Sequence, residues 1–426
     1  MENFILRGDI CYSTGPRELV TAPDSYLVSI AGKSAGVFDT LPEQYADLPL
    51  IDCSGQLIVP GLVDLHVHAP QFAYRSLGMD LELIDWLNTH TFPEEARYAD
   101  LDYAAYAYRA FVGDVQRGPN TRAVVMATQH VPATVMLMDF IEASGLRAMV
   151  GKVNMDRNAH PDLVEADAAT SLNDTRAWLR EIEGRYQRVT PILTPRFIPS
   201  CTDELMSGLA EIQGELGLSI QSHLSENQGE VAWVAELAPD SLSYGHAYHR
   251  FGLFGGDVST VMAHCVWPSE AEFHLLREQR VFVAHCPQSN INLSSGIAPA
   301  RRYLDAGVPM GLGSDVAGGA HTSIFRAMVD AIGVSKLYWR HVDQDSPPLT
   351  LEEAFYLGTL GGGRFFGEVG SFAPGFEVDA LVIDDQSIPG RRELMIPDRL
   401  ARTVYLSNDR QIKRKFVGGI EVELQV

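Results

Sequence analysis

Eight short apolar runs, mostly spaced widely enough for a helix between them, constrain this chain more than any other feature of its sequence. They lie at residues 62–65, 123–126, 147–150, 191–194, 218–221, 260–263, 281–284 and 310–313. Runs this short and apolar suit strands covered on both faces, and a strand–crossover–strand order repeated eight times closes most economically into a (β/α)8 TIM-like barrel. The two ends of the chain read differently. Residues 1–57 alternate apolar and polar side chains between turn signals, and the stretch from 374 does so again at 380–383, 403–406 and 415–417. The expected architecture is a barrel of residues 58–373 with a small β-sandwich domain built from residues 1–57 and 374–426.

Composition removes several function classes. Of 426 residues, 55 are acidic and 33 basic, a net charge of −22. A surface that negative repels phosphate backbones and anionic lipid, so neither nucleic acid nor a membrane is an expected partner. A free nucleobase, which carries no phosphate, is not excluded. The five cysteines, Cys11, Cys53, Cys201, Cys265 and Cys286, are scattered and form no C-x-x-C, which argues against a disulfide framework or a thiolate zinc cluster. There is no apolar run of about 18 residues and no secretory pattern at Met1, so a cytoplasmic protein is expected.

In such barrels the chemistry sits at the C-terminal ends of the strands. His66 and His68 follow the first run, and alternation on an extended segment points both imidazoles the same way. His223 follows the fifth run, His264 the sixth, His285 the seventh and Asp315 the eighth. A single buried histidine is usually a hydrogen-bonded core residue. Five histidines and a carboxylate along one rim are better read as a metal site. Imidazole and carboxylate without thiolate suit zinc or ferrous iron, and three His with one Asp leave room for a water whose pKa the metal lowers from about 15.7 toward about 7. Glu226, three residues past His223, either opens the next helix or handles a proton beside the metal.

The segments Pro60-Gly61-Leu62-Val63-Asp64-Leu65-His66-Val67-His68 and Gly313-Ser314-Asp315 resemble the strand-1 and strand-8 signatures of the amidohydrolase superfamily. Within it, the chain is similar to guanine deaminases from about residue 50 to 375. That similarity rests on His68-Ala69-Pro70-Gln71, Thr91-Phe92-Pro93-Glu94, Leu193-Thr194-Pro195-Arg196-Phe197, Ser222-His223-Leu224-Ser225-Glu226 and Ala284-His285-Cys286-Pro287. The resemblance implies one zinc (iron being the alternative) held by His66, His68, His223 and Asp315. It implies Glu226, His264 and Asp315 as proton-handling residues, and Gln71, Arg196 and Phe197 as contacts to the base. It also implies hydrolysis of guanine to xanthine and ammonia by a zinc-bound hydroxide, and a homodimer. The same site would serve another heterocycle, such as 8-oxoguanine or a pterin. A scaffolding protein without activity would be expected to lack some of these ligands, and none is missing.

One segment departs from the family pattern. Where guanine deaminases carry Gly and a run of Thr, this chain reads Gly118-Pro119-Asn120-Thr121-Arg122, a change that bears on the approach to the second strand and the pocket floor. His130, past the second run, reads as a loop residue rather than a pocket residue. The glycines at 311, 313, 318 and 319 would allow loop movement near Asp315.

Overall fold

The computed structural model describes residues 2–391 and 393–424. The chain opens with β1 (Phe4–Gly15), β2 (Glu18–Ile30), β3 (Lys33–Phe38) and β4 (Leu50–Pro60). There follow β5 (Leu62–His68), β6 (Asn120–Met126), β7 (Arg147–Gly151), β8 (Val153–Asn154), β9 (Val189–Pro191) and β10 (Thr194–Pro195). Next come β11 (Ile220–Leu224), β12 (Thr260–His264), β13 (Phe282–His285) and β14 (Met310–Leu312), and the chain finishes with β15 (Ala380–Ile383), β16 (Ile412–Val417) and β17 (Ile420–Val422).

Two parallel four-stranded arcs, β5-β6-β7-β9 and β11-β12-β13-β14, make the barrel. Leu193 bridges Ile220 at one seam, and the Asp315 amide donates to the His66 carbonyl at 2.9 Å across the other. The fourth run, expected as one strand, is split into β9 and β10, with β10 pairing β8 instead. Pro191 and Pro195 lack the amide hydrogens that an unbroken ladder needs. Most barrel strands are buried along their whole length, which is why they read as apolar runs without alternation. The helices around them are amphipathic. In Leu101–Arg117, capped by the Asp100 carboxylate, the buried positions Ala104, Ala107, Tyr108, Phe111 and Val115 keep helical spacing.

The terminal strands form one seven-stranded sheet in the order β17-β16-β15-β4-β1-β2-β3. Alternation there sorts its two faces: Ile58, Ala380, Val382 and Phe416 share a small core of the sheet, whereas Leu57, Val59, Leu381 and Ile383 join the core under the barrel's helices. Residues 403–406, expected as a strand, end the helix Ile396–Leu406 instead. Its buried residues Ile396, Leu400, Thr403 and Val404 follow the helical period, and Pro397 sits in the first turn where no amide is missed.

The departure near the second strand lies at this sheet–barrel junction. Arg122 donates to both carboxylate oxygens of the buried Asp379, at 2.7 and 3.1 Å, and to Glu377 at 2.8 Å. Lys415 donates to the carbonyls of Val115, Gln116 and Asn120, the first two of which end the helix Leu101–Arg117. Arg122 sits near the N-terminal end of β6, opposite the end where catalytic groups collect, and it does not line the pocket described below. The Pro-Asn-Thr-Arg segment therefore docks the barrel onto the terminal sheet and does not line the pocket. Among the described residues no helix is long and apolar enough to cross a membrane.

Candidate active site

The C-terminal end of β5 supplies His66 and His68, projecting the same way as expected from the pleat. Asp64, one step back on that face, accepts from the His66 amide at 3.2 Å and from the Ser314 amide at 3.0 Å, so it ties the first barrel strand to the segment after the last. Gly313 makes that approach possible, since a Cβ there would lie 2.7 Å from Cys286 Sγ and 3.0 Å from His66 Cβ. Gly311 and Gly318 are likewise packed against neighbours, and Gly319 would meet the Ser314 carbonyl. The four glycines thus serve close packing rather than the loop movement expected of them. Ser225, His264 and Asp315 all have positive φ (47°, 73° and 45°), turning the chain off strands five, six and eight at the residues that enter or adjoin the site.

Four side chains converge. His68 Nε2 lies 3.2 Å from His66 Nε2 and 3.2 Å from His223 Nε2, while Asp315 Oδ1 is 3.2 Å from His66 Nε2 and 3.5 Å from His68 Nε2. Imidazole nitrogens do not face one another this closely without a proton or cation between them. Bonds of about 2.0–2.1 Å in a tetrahedron put ligand atoms about 3.3–3.4 Å apart, so the donor set fits a zinc-sized ion. His223 Nδ1 donates to the Arg196 carbonyl at 2.6 Å, which directs the lone pair of Nε2 into the cluster. Burial lowers the pKa of His66, His68 and His223, so they present lone pairs rather than charges. Burial would raise Asp315, but His66 and His264 pull it well below the usual carboxylate range.

Beside this cluster lie the other two expected groups. His264 Nε2 is 3.4 Å from Glu226 Oε2 and 3.6 Å from Asp315 Oδ2, and its Nδ1 donates to Asn290 Oδ1 at 2.9 Å. Burial opposes a charge on His264, yet Glu226 and Asp315 outweigh it and raise its pKa. Glu226 is pushed up to about 7 by burial. Ser295 donates to its Oε1 at 3.1 Å, and the Glu230 carboxylate accepts from the Glu226 amide at 2.9 Å, holding the strand-to-helix turn. That turn also meets the helical role expected for a carboxylate here, but Glu230 fills it: with Asn227 it forms the capping box of the helix Gln228–Leu237.

A solvent-open pocket of about 420 Å³ joins these groups to Gln71, Arg196 and Phe197. Leu83, Trp86, Leu87 and Leu293 complete an apolar wall. All nine positions expected from the sequence to touch metal, proton or base therefore fall in one place. His285 is buried at the C-terminal end of β13, with neither ring nitrogen bonded to protein, and does not line the pocket; burial lowers its pKa to about 4. His130 lies outside as well, beside a separate surface cavity with Gln129 and Glu165.

Sequence reasoning missed Glu95, Asn290, Ser295, Glu230 and the bridging role of Asp64. Asp64 carried a signal, a lone carboxylate inside a strand with both faces covered. The others meet their partners only through the fold.

Comparison with known proteins agrees with this geometry. The model of the Amidohydrolase family matches residues 57–422. The guanine deaminase of Dictyostelium discoideum is 38% identical over 385 residues, covering 88% of this chain and 84% of that protein. The guanine deaminase of Homo sapiens is 37% identical over 381 residues, 86% of this chain and 83% of that one. The crystal structure of guanine deaminase from C. acetobutylicum with bound guanine in the active site superposes with a TM-score of 0.96 at 42% identity, covering 99% of this chain and 100% of that one. With its barrel, its strand-end cluster of His and Asp side chains and this match along most of its length, the chain belongs to the amidohydrolase family.

Proposed function

We propose that this protein hydrolyses guanine to xanthine and ammonia, using a zinc ion held by His66, His68, His223 and Asp315. The observation that carries the reading is one pocket holding both a base-sized polar edge, Arg196 and Gln71, and the metal-ready cluster with Glu226 and His264. The likeness in fold and sequence to a guanine deaminase structure holding guanine supports the same substrate. Zinc bound there supplies a Lewis acid that brings the pKa of a water down to about 7.

Arg196 donates to a ring carbonyl such as O6, Gln71 offers a donor and an acceptor to the ring edge, and Phe197 covers a face of the base. Glu226, partly protonated at neutral pH because burial lifts its pKa to about 7, delivers that proton to ring N3 and makes C2 electrophilic. Water adds its oxygen to C2, and one of its protons goes to Asp315, which passes it to the departing amino group. His264 Nε2–H donates to the oxygen that has joined C2. As the C2–N bond breaks, the proton left on the added oxygen returns to Glu226, so guanine and water become xanthine and ammonia and the acid is restored.

The test is ammonia release and ultraviolet change on zinc-loaded protein, with guanine beside adenine, 8-oxoguanine and pterins. Turnover confined to guanine is expected; turnover of another ring instead would reassign the pocket. The same reading divides the chain into residues 1–57 with 374–426 and residues 58–373, assigns a homodimer on the strength of the family resemblance, and keeps the cytoplasm expected from the scattered cysteines. Light scattering on the purified protein checks the dimer.

A further inference from the structure

Arg196 and Gln71 do not stand free in the pocket wall. Glu95, on the short helix Phe92–Ala96, takes Arg196 Nη1 at 2.5 Å on one carboxylate oxygen and Nη2 at 3.1 Å on the other. Gln71 Nε2 donates to Glu95 Oε1 at 2.8 Å, while Gln71 Oε1 accepts from the Ala317 amide at 3.1 Å. A carboxylate can only accept and a backbone amide can only donate, so these two partners force a single orientation on the Gln71 amide. Phe92 lies under the guanidinium at 5.1 Å. Glu95 and Arg196 are 2% and 3% exposed, so water does not screen the pair.

We propose that Glu95 is a positioning and specificity residue: it aims Arg196 and Gln71, and it cancels the Arg196 charge so that this wall accepts an uncharged lactam base and disfavours an anionic one. This rests on the reading of guanine as substrate. The consequence falls on the product. Xanthine, with two lactam groups, loses a ring proton more readily than guanine, and an uncancelled Arg196 would hold the resulting anion. The neighbouring titratable groups do not blur this assignment. Around Glu95, Tyr74, Tyr98 and Tyr108 are phenols whose pKa burial pushes upward. At the metal end, Glu226, Glu230, His264 and Asp315 are the same in every variant compared.

The experiment uses zinc-loaded wild type, Glu95→Gln and Glu95→Asp, with thermal midpoint and metal content as checks on folding. It measures guanine KM and kcat, and xanthine affinity by calorimetry at mildly acid and mildly alkaline pH. For Glu95→Gln the expectation is a guanine KM raised about tenfold or more with a smaller change in kcat, and tighter xanthine binding than wild type at alkaline pH only. Glu95→Asp keeps the charge but shortens the reach, so its KM rises while its xanthine pH dependence stays that of wild type; it also carries the test should Glu95→Gln not fold. Xanthine binding by Glu95→Gln with the wild-type pH dependence overturns the charge role, and an unchanged KM overturns the positioning role. Calorimetry does not depend on turnover: a wild type inert to guanine sinks the substrate reading alone if the xanthine shift persists. Failure of every form to bind xanthine sinks both.

Discussion

Replacing Glu226 by Gln tests the proton step with little disturbance of shape. The amide keeps the side-chain volume and still accepts from Ser295 Oγ, which lies 3.1 Å from Oε1 in the wild type. It cannot deliver a proton as a carboxylic acid does. A positioned general acid contributes about 10²- to 10⁴-fold, so kcat with guanine should fall by that factor, about 2.7–5.5 kcal/mol of barrier. The pH profile gives an independent reading. Glu226 must be protonated to act, and burial raises its pKa to about 7. Activity should therefore hold below that value and fall on the alkaline side, about tenfold per pH unit once the acid form is scarce. The Gln variant should lose that alkaline limb. Stopped-flow or steady-state ultraviolet assays across pH, with metal content measured on each sample, provide the data. A Gln variant within threefold of wild type, or one with the same alkaline limb, would refute the assignment.

Three further outcomes are expected. Arg122→Met leaves Asp379 buried without its guanidinium, so stability should drop by about 3–5 kcal/mol in denaturant titrations while the folded enzyme keeps its KM; removing Asp379 as well, as Arg122→Met/Asp379→Leu, should recover most of the loss. Asn290→Ala releases the Nδ1 side of His264, and kcat should fall about tenfold or more with metal content unchanged, whereas unchanged kcat would assign Asn290 to packing alone. Chelation should abolish activity and lower the thermal midpoint, both restored by added zinc, because an ion that binds only the folded cluster stabilises it by mass action. Retention of full activity in a metal-free sample would remove the hydrolytic scheme.

The barrel and the His and Asp side chains at its strand ends were legible in the sequence because their information is local. A strand covered on both faces reads as an unbroken apolar run, and the polarity rule of such barrels says where along each run to look. His66, His68, His223, His264 and Asp315 then appear without any knowledge of distance. The sequence points Arg122 toward the pocket floor, but it stands near the N-terminal end of β6, and Asp379, 257 residues away, explains its charge. Residues 403–406 misled because β-branched side chains favour strands weakly, and a helix burying Ile396, Leu400 and Val404 overrides that preference. Glu95 left no trace: its partner Arg196 is 101 residues distant, and neither neighbourhood has a period or spacing that pairs them. Asn290 and Ser295 reach His264 and Glu226 in the same way, across strand ends that closure of the barrel brings together. Which side chains stand at the strand ends is thus a local matter, written in the order of residues along each run. How those groups are oriented and charged is not, because orientation and charge come from burial and from partners that chain closure supplies.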